Sequence, residues 1–186
     1  MISINEVKSG LTILIDGQLY IILEYQHVKP GKGAAFVRTK LRNLKSGATL
    51  EKTFRGEEKI EEAFIEEQRL QYLYHSDNVY YFMDQQSFEQ ISVSEEILGK
   101  NAQFLKDALD VTAQSYKNEI ISIELPIFIE LKVEHTEPGL KGDTAKSATK
   151  QAALETGATV AVPLFIQPGD IIKIDTRTGE YVERVN

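Results

Sequence analysis

Three histidines and four adjacent pairs of glutamates are the side chains that could bind a metal or act as general acids and bases. The histidines, at positions 27, 75 and 135, lie far apart, and none has a second histidine four residues away, as a helical metal motif requires. The acidic pairs begin at residues 57, 61, 66 and 95, and adjacent acids of this kind usually form a solvated face. The sequence also contains no cysteine, no G-x-S-x-G motif and no G-x-x-x-x-G-K-[ST] motif. We therefore expect no enzyme active site, no metal and no cofactor.

The segment HVKPGKGAAF, residues 27–36, places one lysine between two glycines. Pro30 fixes φ for a turn, while Gly31 and Gly33 carry no Cβ and let the backbone come close to another molecule. Lys32 has no acidic residue nearby in the sequence and is expected to point outward. The same pattern would also suit an ordinary hairpin tip with a solubilising lysine.

The net charge of −7 is distributed unevenly along the chain. Residues 1–55 hold nine Lys and Arg against four acids, whereas residues 56–127 hold five against fifteen. A basic first third on an acidic body suits a protein that contacts phosphate at one end only. Period-two alternation puts the cations at positions 38, 40 and 42 on one face of a strand. On charge grounds, the candidates for contact with an RNA backbone are Lys29, Arg38, Lys40 and Arg42.

Short β-rich runs separated by turns every ten residues or so predict an all-β chain of three small barrels. The predicted domains are an SH3-like barrel over residues 1–63, an OB-fold over 64–127 and a third barrel over 128–186. Asp16-Gly17 is typical of a two-residue hairpin turn. One helical window covers residues 94–108, with Ser94 as its cap. In the last third, strands are predicted at 127–135, 158–162, 171–175 and 180–185.

Two segments resemble the bacterial translation elongation factor P family. HVKPGKGAAFVRTKLRNLKSG is similar to that family's modified-lysine loop, and KQAALETGATVAVPLFIQPGD is similar to its C-terminal signature. The signature residues are Lys150, Ala152, Gly157, Val160, Val162, Pro163, Ile166 and Gly169. The two motifs occur in the family's order, and the resemblance covers essentially the whole chain. It implies a KOW-like, SH3-like domain followed by two OB-folds, in an elongated shape similar to transfer RNA.

The resemblance further implies a non-enzymatic, cytoplasmic factor that binds the 70S ribosome between the P and E sites. Such a factor contacts peptidyl-tRNA and stimulates peptide-bond formation, which relieves stalling at consecutive prolines. No stretch of the sequence approaches the ~20 apolar residues of a membrane span, so no membrane partner is expected. The proposed ribosomal site requires a monomer.

The resemblance also assigns roles to individual residues. Lys32 would be lengthened by a lysine-modifying enzyme and would reach the CCA end of the P-site transfer RNA, with Pro30, Gly31 and Gly33 shaping its loop. In the third domain the ribosome or transfer-RNA candidates are Gly142, Asp143, Thr144, Tyr181 and Arg184. Strand-end packing is an alternative role for Tyr181 and Arg184.

Two other functions fit parts of the sequence. An elongation-factor-P-like paralogue would share the fold but differ in its loop and partner, and the intact Pro-Gly-Lys-Gly tip argues against it. A generic OB-fold protein would bind single-stranded RNA by stacking bases on exposed aromatic rings. The rings available for this are Tyr72, Tyr74, Tyr80, Tyr81 and Phe82.

Overall fold

The computed structural model describes residues 1–137 and 149–185, and these form a nearly all-β protein of three five-stranded sheets. The all-β prediction is confirmed. By internal packing the chain divides into two compact units, one of Met1–Glu67 with Gln114–Ser122 and one of Gln68–Ala113 with Ile123–Asn186. Helical structure among the described residues amounts to short turns. None of these helices is long and apolar enough to cross a membrane.

The first sheet is antiparallel throughout, with strand order β4-β3-β2-β1-β5. Its strands are β1 Thr12–Ile15, β2 Gln18–Val28, β3 Phe36–Asn43, β4 Thr49–Arg55 and β5 Glu61–Glu62. The predicted Asp16-Gly17 hairpin is confirmed, because these residues have φ of 50° and 77°, as the two-residue turn requires. β2 contains an irregularity between Ile22 and Glu24, where the register with β3 shifts. The core of this sheet includes Ile13, Ile22, Val37, Leu41 and Phe54.

The second sheet has the order β10-β9-β6-β7-β8. Its strands are β6 Glu66–Ser76, β7 Val79–Asp84, β8 Gln90–Ser94, β9 Asp110–Tyr116 and β10 Glu119–Glu124. The helix predicted over 94–108 is only a single α-helical turn, α1 Glu95–Leu98, followed by a 3-10 segment, Gly99–Phe104. Ser94 occupies the cap position, but its side chain forms no capping hydrogen bond. The α-helical geometry ends at Gly99, whose φ of 52° glycine adopts readily.

The third sheet is antiparallel, with the order β13-β12-β11-β14-β15. Its strands are β11 Phe128–Thr136, β12 Thr149–Leu154, β13 Thr159–Pro163, β14 Ile171–Asp175 and β15 Glu180–Val185. The four predicted strands of this region are present, but β12 was not predicted. Its sequence, TKQAAL, has weak β propensity. Pairing with β11 and β13 on either side stabilises it as a strand, and it buries Ala152 and Leu154 in the core.

Asn43, at the end of β3, organises the turn that leads into β4. Its Oδ1 accepts hydrogen bonds from the backbone amides of Lys45 (2.9 Å) and Ser46 (2.8 Å), and its Nδ2 donates to Gln18 Oε1 at 2.9 Å. Asn43→Ala removes these three hydrogen bonds at once, at a residue that is buried. We expect the first sheet to lose about 1–3 kcal/mol of stability. Amide hydrogen exchange at Val37 and Leu41 measures this loss.

The matched control is Asn5→Ala, since Asn5 is exposed and makes no side-chain hydrogen bond with the described part of the chain. Protection of β3 that is equal in the two variants would show that the Asn43 contacts do not stabilise the sheet.

Candidate nucleic-acid interface

The segment around Lys32 is the loop that joins β2 to β3. The last cross-strand pair before it is Val28 with Phe36. The residues from Lys29 to Ala34 are all exposed. Gly33 has φ of 110°, in the region that side chains rarely adopt, so this position needs glycine for conformational reasons. A Cβ added to Gly31 would meet no atom within 4 Å, so nothing within the described chain requires glycine there.

Lys32 lies at the exposed tip of this loop. Among residues 1–137 and 149–185, no carboxylate forms an ion pair with its ammonium group. The pattern predicted from the sequence, an outward-pointing lysine at a hairpin turn, is therefore present. An exposed lysine side chain in this position can donate hydrogen bonds to a phosphate oxygen. It is also accessible to a modifying enzyme.

The predicted row of cations along one side of β3 is also present. Burial alternates strictly along the strand, so that Arg38, Lys40 and Arg42 are exposed while Val37 and Leu41 are buried. This alternation follows from the two-residue period of a strand packed on one side. The positive charges are therefore lined up along one surface of the first sheet.

Cross-strand neighbours distinguish the two arginines from the lysine. Arg38 lies between Gln26 of β2 and Thr53 of β4, and Arg42 lies between Ile21 and Thr49. No acidic side chain is directly opposite either arginine. Both guanidinium groups therefore keep their charge available for an external anion. The guanidinium carbon of Arg38 also lies 5.5 Å from the centroid of the Phe36 ring, which favours an orderly position.

Lys40 lies directly opposite Glu24 of β2 and Glu51 of β4. Its ammonium nitrogen is 3.5 Å from Glu24 Oε1. Both side chains of this pair are well exposed, so the pair adds little stability. It nevertheless offsets the positive charge of Lys40 locally. Of the three predicted cations, Lys40 is the one least suited to bind phosphate.

Arg55 is a cation of this surface that the sequence did not single out. It pairs with Phe36 across β3 and β4, while Arg38 pairs with Thr53, so the two arginines are diagonal neighbours on the same face. The signal that could have found it is the alternation of β4, which puts Arg55 on the exposed side. We use the name cationic face for Arg38, Arg42 and Arg55.

The C-terminal candidates make contacts within the third sheet. Tyr181 pairs with Ile174 and packs against the core of that sheet. The Arg184 Nη1 atom is 3.7 Å from Asp170 Oδ2, and its guanidinium carbon lies 5.7 Å from the Phe165 ring centroid. These contacts suit the strand-end packing role, although Arg184 remains exposed. Gly142, Asp143 and Thr144 lie outside the described residues.

The aromatic residues of the second sheet are mostly core residues. Tyr72, Tyr80 and Phe82 are buried, and burial raises the pKa of the Tyr72 and Tyr80 hydroxyls. Tyr74 is 49% exposed, but its ring stacks on Tyr81 at a centroid distance of 4.7 Å. Three of the five rings required by the generic RNA-binding alternative are therefore not accessible to bases. Within the described ranges, no group of three or more His, Asp or Glu side chains could hold a metal.

Comparison with known families decides the assignment. Three family models match consecutive parts of the chain: the elongation factor P KOW-like domain over residues 3–60, the elongation factor P OB domain over 65–123, and the elongation factor P C-terminal domain over 121–184. The chain belongs to the elongation factor P family. The family resemblance predicted from the two motifs is thereby confirmed, and with it the KOW-like and OB domain types.

Individual relatives agree with this assignment. Elongation factor P of Natranaerobius thermophilus is 57% identical over 185 residues, which cover 100% of this chain and 98% of that protein. Elongation factor P of Moorella thermoacetica is 54% identical over 184 residues, or 99% of this chain and 100% of the relative. As a member of the elongation factor P family, the chain is a translation factor and not an enzyme.

Two solved structures share part of the fold. One is described as eukaryotic translation initiation factor 5A from Methanococcus jannaschii, with a TM-score of 0.52 and 21% identity, covering 66% of this chain and 92% of that one. The other is a translation initiation factor eif-5a family protein from Naegleria fowleri, with a TM-score of 0.53 and 16% identity, covering 67% and 96%. At these identities the likeness concerns the fold alone.

Proposed function

We propose that this elongation factor P family member binds the ribosome between the P and E sites, contacts peptidyl-tRNA and relieves stalling at consecutive prolines. The observation that carries the proposal is the Lys32 loop: an exposed lysine without an ion pair among the described residues, at the end of a hairpin whose neighbouring Arg38 and Arg42 face no acid. Phosphate groups of a transfer RNA are the natural partners of such a surface.

The help given to peptide-bond formation is positional. The ring of proline fixes φ and makes its amine secondary, which limits the geometries that the reacting ends can adopt. Holding the CCA end in an attacking geometry removes orientational entropy from the barrier. In this mechanism Lys32, covalently extended by a partner enzyme, reaches the CCA end, and Lys29 with the cationic face holds the RNA backbone. Pro30 and Gly33 shape the loop, Gly31 leaves room for the RNA to come close to the backbone, and no cofactor takes part.

The third domain completes the proposed contact with the ribosome. Gly142, Asp143 and Thr144 would contact the ribosome or the transfer RNA, and Arg184 has the exposure for the same role. Tyr181 would support that strand through its packing against the core. The factor would act in the cytoplasm as a monomer.

The test uses the chain purified from its native cell. Added to a translation extract that lacks the factor, it is expected to restore the yield of a reporter with three consecutive prolines and to leave a reporter without prolines unchanged. Equal effects on both reporters, or failure to sediment with ribosomes, would contradict the function. Mass spectrometry of the peptide over residues 27–42 tests the modification separately. If the protein is fully active but unmodified, the covalent extension of Lys32 is excluded while the proposed function stands.

A further inference from the structure

Tyr25 and His27 are two exposed rings on β2, close to the Lys32 loop. They are two residues apart in a strand, so both side chains lie on the same face. Their ring centroids are 5.3 Å apart and the ring planes meet at 77°, an edge-to-face arrangement. Tyr25 is 43% exposed. An edge-to-face pair leaves ring surface uncovered, on which a third planar group can stack.

The pairing of β2 explains why these rings are uncovered. β1 pairs with β2 only from Gln18 to Ile21, and the backbone of Gly10 and Leu11 then bonds to Ile22. Beyond this point β2 continues to Val28 with β3 on one side, and no strand of the described chain lies on the other. Tyr25 lies opposite the buried Thr39 and so on the core-facing side of the sheet, but it is not among the residues that pack against the core, whereas Tyr20 is. The rings do not contribute to the core that stabilises this sheet.

The charges around the rings identify the class of partner. Lys29 and Lys32 follow immediately in the chain, and neither forms an ion pair with a described residue. The nearest acid in the strand, Glu24, lies on the opposite face and is paired with Lys40. Exposed rings beside unpaired cations are the combination that binds unpaired nucleotides, because the rings stack on bases while the cations receive phosphates.

We propose that Tyr25 and His27 form an aromatic platform on which an unpaired base of RNA stacks. The proposal deepens the proposed function and rests on it, so the base belongs to the single-stranded 3′ end of the P-site transfer RNA. The loop lysine then contacts the backbone of the nucleotides whose bases the platform holds. The Tyr74–Tyr81 pair offers no equivalent, because its rings cover each other at 22° and the region around it carries a negative net charge.

The experiment measures the affinity of the full chain for ribosomes that hold transfer RNA in the P site. Tyr25→Ala is expected to weaken binding about tenfold, since stacking on one base contributes on that scale. Tyr25→Phe keeps the ring and is expected to bind as wild type does. The matched control is Tyr74→Ala, which removes a tyrosine of similar exposure from the second sheet and is expected to leave the affinity unchanged.

A second arm replaces the unpaired 3′ nucleotides of the transfer RNA, one at a time, by abasic ribose. At the stacked position, wild type is expected to lose about tenfold in affinity while Tyr25→Ala loses nothing further. If the Tyr25→Ala defect persists with every abasic transfer RNA, the ring contacts a protein or the RNA backbone and the platform is excluded. Full affinity of Tyr25→Ala excludes it as well. Failure of wild type to bind these ribosomes would instead contradict the proposed function.

Discussion

Lys32→Ala is expected to reduce the yield of a three-proline reporter to the level seen without the factor, while ribosome binding falls much less. The lysine is exposed at a loop tip and has no ion pair with the described residues, so its removal costs the fold little. Its proposed contribution is the positioning of the CCA end, which affects the reaction rate more than the affinity. The measurement is translation of reporters with three prolines and with none, in extract that lacks the factor.

Lys32→Arg is the informative companion variant. Arginine keeps the positive charge but replaces a compact primary amine by a guanidinium, which a lysine-modifying enzyme should not accept. We therefore expect it to fail on the proline reporter as Lys32→Ala does. Lys45→Ala, at an exposed turn of the same sheet, is the control that should match wild type. If both Lys32 variants were as active as wild type, the lysine would be a solubilising turn residue only.

Reversing two charges of the cationic face is the second large effect. Arg38→Glu combined with Arg42→Glu should weaken ribosome binding strongly. The slope of the logarithm of the binding constant against the logarithm of the salt concentration should become shallower by about two units, one for each phosphate that is no longer bound. The reason is that neither arginine has an acidic cross-strand neighbour, so both are available to phosphate. Binding measured by sedimentation over a series of salt concentrations gives the slope.

Lys40→Gln is the matched control on the same strand. Because Glu24 and Glu51 flank Lys40, we expect its removal to change the slope by clearly less than one unit. An unchanged slope in the double arginine variant would place the RNA-binding surface on another part of the chain. A large effect of Lys40→Gln would show that the local acids do not offset its charge.

The sequence predicts the row of cations on β3 well because its cause is local. Period two alone places Arg38, Lys40 and Arg42 together. The difference between them cannot be read locally, because it depends on which residues lie opposite. The irregularity in β2 between Ile22 and Glu24 shifts the register with β3, and Glu24 is thereby placed opposite Lys40. No sequence motif predicts such a shift. The pairing of Lys40 with Glu24 is therefore seen only in the folded chain.

The remaining differences have the same origin in tertiary structure. The sequence TKQAAL gives no strand signal, and β12 forms because strands pair on both of its sides. Tyr72, Tyr80 and Phe82 are stacking rings in the generic RNA-binding alternative, but alternation in β6 and β7 turns them into the core. Composition cannot tell which side of a strand a sheet covers. The burial of these three rings therefore could not be predicted from composition.

Because β1 ends early, the Lys32 loop lies well beyond the part of the sheet that β1 covers. β2 is 11 residues long, and β1 pairs only with its first four. The part from residue 23 to residue 28 rises by roughly 3.3 Å per residue, so it extends about 20 Å past the pairing with β1. Its partner β3 is held in turn by β4 along nearly its whole length. The lysine loop is thus carried by a strand pair that β4 holds in place. Most of the conformational entropy lost in ordering this pair is lost on folding rather than on docking.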